Sequence, residues 1–364
     1  MKTFRTLTLT SDPVNLIKDV GMIPYALQKW YDTGFVSYIQ GGNGRDFRDQ
    51  VKSLKTECIG DDGGKNHTLN LLDRKALGYV WRNARGIDVL NLYFLKNSMV
   101  YGILYKLRNP SGTLYLKMDG NALKMEKENR GVPGFLRRAV FGWYLRHVTD
   151  KVSIESLRGF EFMKKTYRLT EKRLIYLPNG MDDSKIGEVL PWEKKDNVIL
   201  NVGRIGSWEK HTEMLLEAAG KVNWHDGWKL RLVGPVAEGF EVPQMPGVEL
   251  AGPIFDRDAL FGEYNRARAF TLTSRFESFG LVCVEAQAFG NYLLLTPFCT
   301  APDFTDNGKV GTIVQTADEL ASAMQDIIDN PEKYSGRQSE ILAHSSQYYW
   351  SALSGRLRDF LESS

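Results

Sequence analysis

The stretch "SRFESFGLVCVEAQAFG", residues 274–290, places Glu277 and Glu285 on either side of the turn Ser278-Phe279-Gly280-Leu281. An ionised carboxylate inside a core is costly unless it is paired or hydrogen-bonded. The plainest reading therefore puts Glu285 on a solvated edge of a helix and Glu277 on the surface. The segment ahead, "AFTLTS" (269–274), reads as a strand. Working outward, short β-rich runs alternate with longer helical patterns along the whole chain, the signature of parallel α/β architecture.

Upstream of the stretch come strand "NVILNVG", helix "TEMLLEAAGKV", strands "WKLRLVG" and "VELAG", and helix "DALFGEYNRA". Downstream come strand "YLLLT" and helix "ADELASAMQDIIDN", which Pro331 stops. An earlier series begins with strand "FRTLTLTS" and a helix "GMIPYALQKWYDTG" ending at Gly34. It continues through strands "FVSYIQ", "IDVLNLYFL" and "TLYLKMD", with helices over 97–108 and 135–148. Between the series lies "LPNGMDDSKIGEVLPWEKKDN", whose prolines, glycines and charges suit a linker. Two doubly wound α/β halves of similar size follow, and they imply a cleft, with ligands bound outside the carboxyl ends of the strands.

The 364 residues suffice for two domains. A net charge of +3 gives nucleic-acid binding no support. Three cysteines, Cys58, Cys283 and Cys299, far apart and odd in number, argue against a disulfide framework or zinc site and fit a reducing cytoplasm. The N-terminus has too short an apolar core for a signal peptide, and no run nears the roughly 18 apolar residues that span a bilayer. A cytoplasmic protein, at most peripheral to a membrane, is expected.

Glycine-rich "GGNG" (41–44) and "GDDGG" (60–64) do not lead from strand into helix and read as turns. No G-x-G-x-x-G follows any strand, which argues against a dinucleotide-dependent dehydrogenase, and no P-loop is present. In "FDRDAL" (255–260), Asp256 and Asp258 have the spacing of a metal-binding pair but stand where a helix cap belongs. The five histidines show no metal-ligand spacing.

Arg204 and Lys210 in "VGRIGSWEKH" follow a strand end, where two cations make an anion site for a diphosphate; the alternative is a pair of weakly bonded surface cations. Gly280 permits close backbone approach, and the N–H groups of Phe279, Gly280, Leu281 and Val282 open a helix, a phosphate-binding arrangement. Glu285, about two turns inside that helix, then suits the two hydroxyls of a ribose. Glu277 faces the group beyond the phosphates.

These residues resemble the retaining glycosyltransferases of GT-B family 4. The resemblance rests on E-x7-E ("ESFGLVCVE", 277–285), G-R-x5-K ("GRIGSWEK", 203–210), "YLPNGMD" (176–182), "LVGP" (232–235) and "DNGKVGTIV" (306–314), in that family's order and spacing. It spans roughly residues 176–315, and the overall look is of bacterial capsule or exopolysaccharide transferases. It implies a GT-B fold, two Rossmann-like domains facing across a cleft. An acceptor-binding domain would cover 1–180, with the terminal helix at about 346–364 packing back on it, and a nucleotide-sugar domain 195–345.

The resemblance implies that Arg204 and Lys210 bind the donor diphosphate, Glu285 the ribose, and Glu277 hydroxyls of the transferred sugar. Phe279, Gly280 and Leu281 would offer backbone N–H groups, and Gly21 in "KDVGMIPYAL" would approach the donor. A metal-independent, cofactor-free transfer of a hexose or N-acetylhexosamine is expected, with UDP as nucleotide on family frequency. There are departures. The strand-end histidine of many relatives is replaced, and that region offers Asp119, which either acts on the sugar or caps the next helix. His211 stands where a glycine is usual. "GNYLLLT" replaces G-x-P-V, so Asn291 and Tyr292 are expected to reshape the sugar end of the pocket.

"GFLRRAVFGWYLRHV" (134–148) mixes Arg137, Arg138 and Arg146 with Phe135, Phe141, Trp143 and Tyr144. Such a helix suits an anionic membrane surface on the inner leaflet, where a polyprenyl-diphosphate-linked glycan acceptor would be met. The alternative is an amphipathic helix packed on a sheet with its arginines in solvent. A soluble or protein-linked glycan is the other acceptor class. A non-catalytic donor-binding scaffold and a sugar-nucleotide epimerase are the rival functions.

Overall fold

The structure, a computed structural model, describes residues 1–40, 51–60, 72–120 and 122–363. The glycine turn at 41–44 and, beyond Gly60, that at 60–64 lie outside the described residues. The chain divides into two compact units, Met1–Asn179 with Trp350–Ser364, and Gly180–Tyr349.

Among the described residues the first unit builds a seven-stranded sheet from β1 (Lys2–Leu7), β2 (Tyr31–Ser37), β3 (Thr56–Cys58), β4 (Val89–Tyr93), β5 (Thr113–Met118), β6 (Lys151–Ile154) and β7 (Leu174–Tyr176). The strands lie in the order β3-β2-β1-β4-β5-β6-β7, and every pairing is parallel. Its helices are α1 (Asp19–Ala26), α2 (Arg74–Asn83), α3 (Leu95–Arg108), α4 (Ala122–Glu128), α5 (Gly131–His147) and α6 (Leu157–Tyr167). Strand alternation sends Leu90, Leu92, Leu114 and Leu116 into one core with Tyr79, Tyr105 and Tyr144 of the helices. It sends Phe4, Phe35, Val89, Tyr93 and Tyr115 into the other, with α1 and with Leu353 and Leu357 of the terminal helix.

The second unit repeats the plan with β8 (Asp196–Val202), β9 (Lys229–Val233), β10 (Val248–Gly252), β11 (Ala267–Leu272), β12 (Tyr292–Leu295) and β13 (Gly311–Ile313), ordered β10-β9-β8-β11-β12-β13 and parallel. Its helices are α7 (Thr212–Ala219), α8 (Arg257–Arg266), α9 (Leu281–Ala288), α10 (Ala301–Thr305), α11 (Ala317–Asp329), α12 (Pro331–Ser335) and α13 (Gln338–Ser345); α14 (Trp350–Glu362) closes the chain in the first unit. In each sheet the order reverses once, between β1 and β4 and between β8 and β11. Parallel strands diverge there, opening a crevice at their carboxyl ends.

The structure corrects one helix. α1 ends at Ala26, a 3-10 turn covers Leu27–Lys29, and β2 starts at Tyr31, so Gly34 lies within a strand. Residues 31–37 are almost wholly buried, Tyr31 and Phe35 in the core with α1 and Val36 in the core with α2, and burial on both faces erases the period that separates strand from helix. β3, β6, β7 and β13, three or four residues each, escape a pattern reading for want of length.

Candidate active site

The second unit's switch point lies between β8 and β11, and the loops leaving those two strands carry the acids and cations. Several bonds tie the loops together. Thr273 Oγ1 donates to the carbonyls of Lys210 and His211, Arg275 N–H to Glu209 O at 2.9 Å, and Arg275 Nη1 to Trp208 O at 2.7 Å. Lys210 Nζ lies 2.5 Å from Glu277 Oε1, which also accepts from Ser274 Oγ at 2.7 Å. Both partners are largely shielded from solvent, at 19% and 14% side-chain exposure, so this pair is screened far less than a surface one. Arg204 stays mostly in solvent, 3.7 Å from Glu209. His211 occupies the left-handed region at φ 50°, which accounts for the glycine usual there.

Gly280 caps α9 at φ 104°, a conformation that only glycine adopts without strain. Phe279 is buried against Phe304, and Thr300 Oγ1 donates to its carbonyl, so the turn before α9 is rigidly held. Leu281 and Val282 open the helix with N–H groups that have no intrahelical acceptor. Glu285 is the fifth residue of α9, little more than one turn in rather than two.

Neither acid sits on a solvated edge. Glu285 is buried, accepting from Arg257 Nη2 at 2.6 Å and from Tyr264 O–H at 2.8 Å. Burial and the neighbouring Glu285 hold the Tyr264 phenol well above its ordinary pKa. Arg257, stacked 4.6 Å over Phe261, was hidden in the sequence by its place between Asp256 and Asp258. Asp256 does cap α8, accepting from Ala259 N–H at 2.7 Å. Burial raises the Cys283 thiol, next to this site, far above its usual pKa and leaves it inert.

Asn291 and Tyr292 do not reshape this pocket. Asn291 is buried and donates to the carbonyls of Tyr264 and Ala267, at the amino end of β12, the sheet edge opposite the site. Tyr292 packs edge-on against Tyr334 and shares a hydrogen bond with Thr312.

In the first unit Gly21 lies inside α1, where a Cβ would fall 2.2 Å from Leu16 O; close helix packing accounts for the glycine. Asp119 follows β5, half-buried, beside two acids that the sequence did not single out. Glu155 is completely buried, accepting from Gly120 N–H at 3.0 Å and Asn179 Nδ2 at 2.6 Å. Burial first, then Asp119, hold its carboxyl well above the usual range, outweighing those two donors. Asp19, at the first position of α1, is pushed up to about 7 by burial and then by Asp119, against the pull of Lys117.

The α5 surface inverts the expectation for its arginines. Arg137 bonds Glu128 at 2.5 Å, Arg138 the carbonyl of Asn129, and Arg146 the carbonyl of Tyr167 at 3.1 Å. The solvent side is instead apolar: Val132, Phe135, Leu136, Val140 and Trp143, each about half exposed or more, recur at helical spacing along one face. Among the described residues no helix is long and apolar enough to cross a membrane, and no group of three His, Cys, Asp or Glu residues could hold a metal ion.

Residues 196–330 match the family model described as "Glycosyl transferases group 1". Over 181 residues the chain is 28% identical to D-inositol 3-phosphate glycosyltransferase of Corynebacterium kroppenstedtii, covering 45% of this chain and 40% of that protein. The chain thus spans about two-fifths of the length of the curated relatives it matches. Among solved structures, HepE of Anabaena in complex with UDP superposes over 100% of both chains with a TM-score of 0.75 at 16% identity. The same protein with UDP-glucose gives 0.73. Over 196–330 the chain therefore matches the glycosyl transferases of group 1, and its two parallel, doubly wound sheets have the GT-B fold.

Proposed function

We propose that the protein is a retaining glycosyltransferase that moves a hexose or N-acetylhexosamine from a UDP-sugar to a glycan acceptor. The observation that carries this reading is the Lys210–Glu277 pair at the switch point, in the loops just ahead of α9, with Glu285 about one turn inside that helix. Lys210 and Arg204, with the N–H groups that open α9, take the diphosphate and offset the charge that builds on it as the glycosidic bond breaks. Glu285 takes the ribose hydroxyls, and Glu277 orients hydroxyls of the transferred sugar. Because these groups supply the positive charge, the reaction is proposed to need no metal. The UDP and UDP-glucose complexes of HepE support the choice of nucleotide.

The test is thermal unfolding against UDP, GDP and ADP, with and without attached sugars, repeated in EDTA. A ligand at one hundred times its Kd adds about 2.7 kcal/mol, a shift of several degrees for domains of this size. UDP is expected to give that shift, larger with one sugar and unchanged by EDTA. Cooperative unfolding unmoved by every nucleotide overturns the reading.

The acceptor is proposed to be a polyprenyl-diphosphate-linked glycan, met on the inner face of the cell membrane through the apolar stripe of α5. Replacing Phe135, Leu136 and Trp143 together by serine is expected to lower partitioning onto anionic liposomes more than about 100-fold, since each buried side chain contributes about 1.5–3 kcal/mol. The substitutions are on the surface and should leave the unfolding temperature unchanged. A wild type that does not sediment with such liposomes, or a variant that sediments equally, eliminates the membrane contact.

A further inference from the structure

The helices on one face of the first sheet leave an apolar groove that the donor site does not use. α2, α3 and α5 all contribute to the core around Leu90, Leu92, Leu114 and Leu116, and α3 packs against both of the others. Between α2 and α3 opens a trough of about 540 Å³, lined by Leu77, Gly78, Trp81 and Arg82 of α2 and by α3 from Val100 to Leu107. Ligand pockets have about this volume, roughly 300–1,000 Å³, with mostly apolar walls and a few polar groups. Trp81 is 52% exposed and Leu107 73%, so large apolar groups stand open to solvent along the trough.

Charge and width select the occupant. From Arg74 to Arg108 the sequence has seven Lys or Arg residues and one acid, Asp88, which accepts from Thr3 N–H at 2.7 Å and Thr3 Oγ1 at 3.0 Å. The chain as a whole carries only +3, so positive charge is concentrated on this pair of helices. Two of the cations border the groove. Arg82 lines it, and the Arg108 guanidinium stacks 4.2 Å over Trp81, its buried Nε without a hydrogen-bond partner. A second copy of the chain would bring like charges together there. From Val100 to Leu107 the groove follows two helical turns, about 10 Å at 1.5 Å per residue. Spread over that length, the trough is narrower than a helix with its side chains, about 10–12 Å across, but it admits a hydrocarbon chain. We infer that this groove seats one acyl chain of an anionic phospholipid, whose phosphate is bound by the guanidinium groups of Arg82 and Arg108. The seat is separate from the donor site and from the exposed stripe of α5, and it would hold one lipid molecule rather than a membrane surface in general.

The test titrates full-length protein calorimetrically with decyl phosphate below its micelle concentration. One equivalent is expected to bind, whereas inorganic phosphate, which lacks the chain, and decyltrimethylammonium, which reverses the charge, are not. Gly78→Phe fills the groove with apolar bulk at unchanged charge, and the nearest atoms to a Cβ there are those of the flexible Arg82 guanidinium, the first at 3.3 Å. It should weaken decyl phosphate binding at least tenfold, as should Arg82→Glu combined with Arg108→Glu. Vesicles containing phosphatidylglycerol identify the source of the chain: they should sediment less than a third as much Gly78→Phe as wild type. A wild type that does not take up decyl phosphate, equal binding by Gly78→Phe, equal binding of the trimethylammonium, or equal sedimentation overturns the inference. Wild-type dimers in light scattering that Gly78→Phe abolishes would assign the groove to a second copy instead. Should Gly78→Phe not fold, Arg82→Glu, at an exposed position, decides alone. Gly78→Phe is expected to keep the UDP-induced rise in unfolding temperature, so a failed donor site and a failed lipid seat are told apart.

Discussion

Glu277→Gln is expected to lower turnover by roughly 10²–10³-fold, the loss typical of a group aimed at a transition state, while UDP binds at least as tightly as before. The split follows from the 2.5 Å contact between Glu277 and Lys210. In the free protein this carboxylate engages the ammonium that is proposed to bind the diphosphate, and glutamine frees it without adding bulk. Lys210→Met should do the opposite and remove most of the UDP-induced rise in unfolding temperature. Steady-state kinetics and unfolding measured on both variants distinguish the two roles. Equal losses of UDP affinity in the two variants would assign Glu277 to diphosphate binding instead. Full turnover in Glu277→Gln, or activity traced to a partner protein that this variant still supports, would favour a donor-binding scaffold.

The second large effect is on stability. In the folded protein Asp19 titrates at about 7, against 3.8 as its ordinary value. The folded state therefore keeps a proton that the unfolded chain gives up as pH rises past 4. Stability from this residue falls across the window from about pH 4 to pH 7, because the folded form binds the extra proton there. Above the window the full cost is up to about 4 kcal/mol, shared with the neighbouring acids. Asp19→Asn cannot ionise. It should match the wild type near pH 4 and exceed it at pH 8, in the unfolding transition of the first unit. A stability difference that does not change between pH 4 and pH 8 would mean that Asp19 is already ionised in the folded protein.

The sequence alone determined the parallel α/β plan, the strands of the second unit except β13, and the junction at 274–290. It also marked Arg204, Lys210, Glu277 and Gly280 as neighbours of one strand edge, and Asp256 as a cap. These are short-range properties: alternation within a strand, period within a helix, and the chemistry of the turn between them. Residues 31–34 escaped because burial on both sides leaves no period to read.

Only the tertiary structure decided what the buried charges do. Glu285 is held by Arg257 and Tyr264, more than twenty residues away from it. The acid cluster draws on positions 19, 117, 119, 155 and 179, which meet only because β1, β5, β6 and β7 end at the same sheet edge. Arg137, Arg138 and Arg146 of α5 bond a carboxylate and two carbonyls, while apolar side chains of the same helix face solvent. Whether a charge is buried, and what balances it, depends on neighbours supplied by other strands and helices, and local sequence carries no record of them.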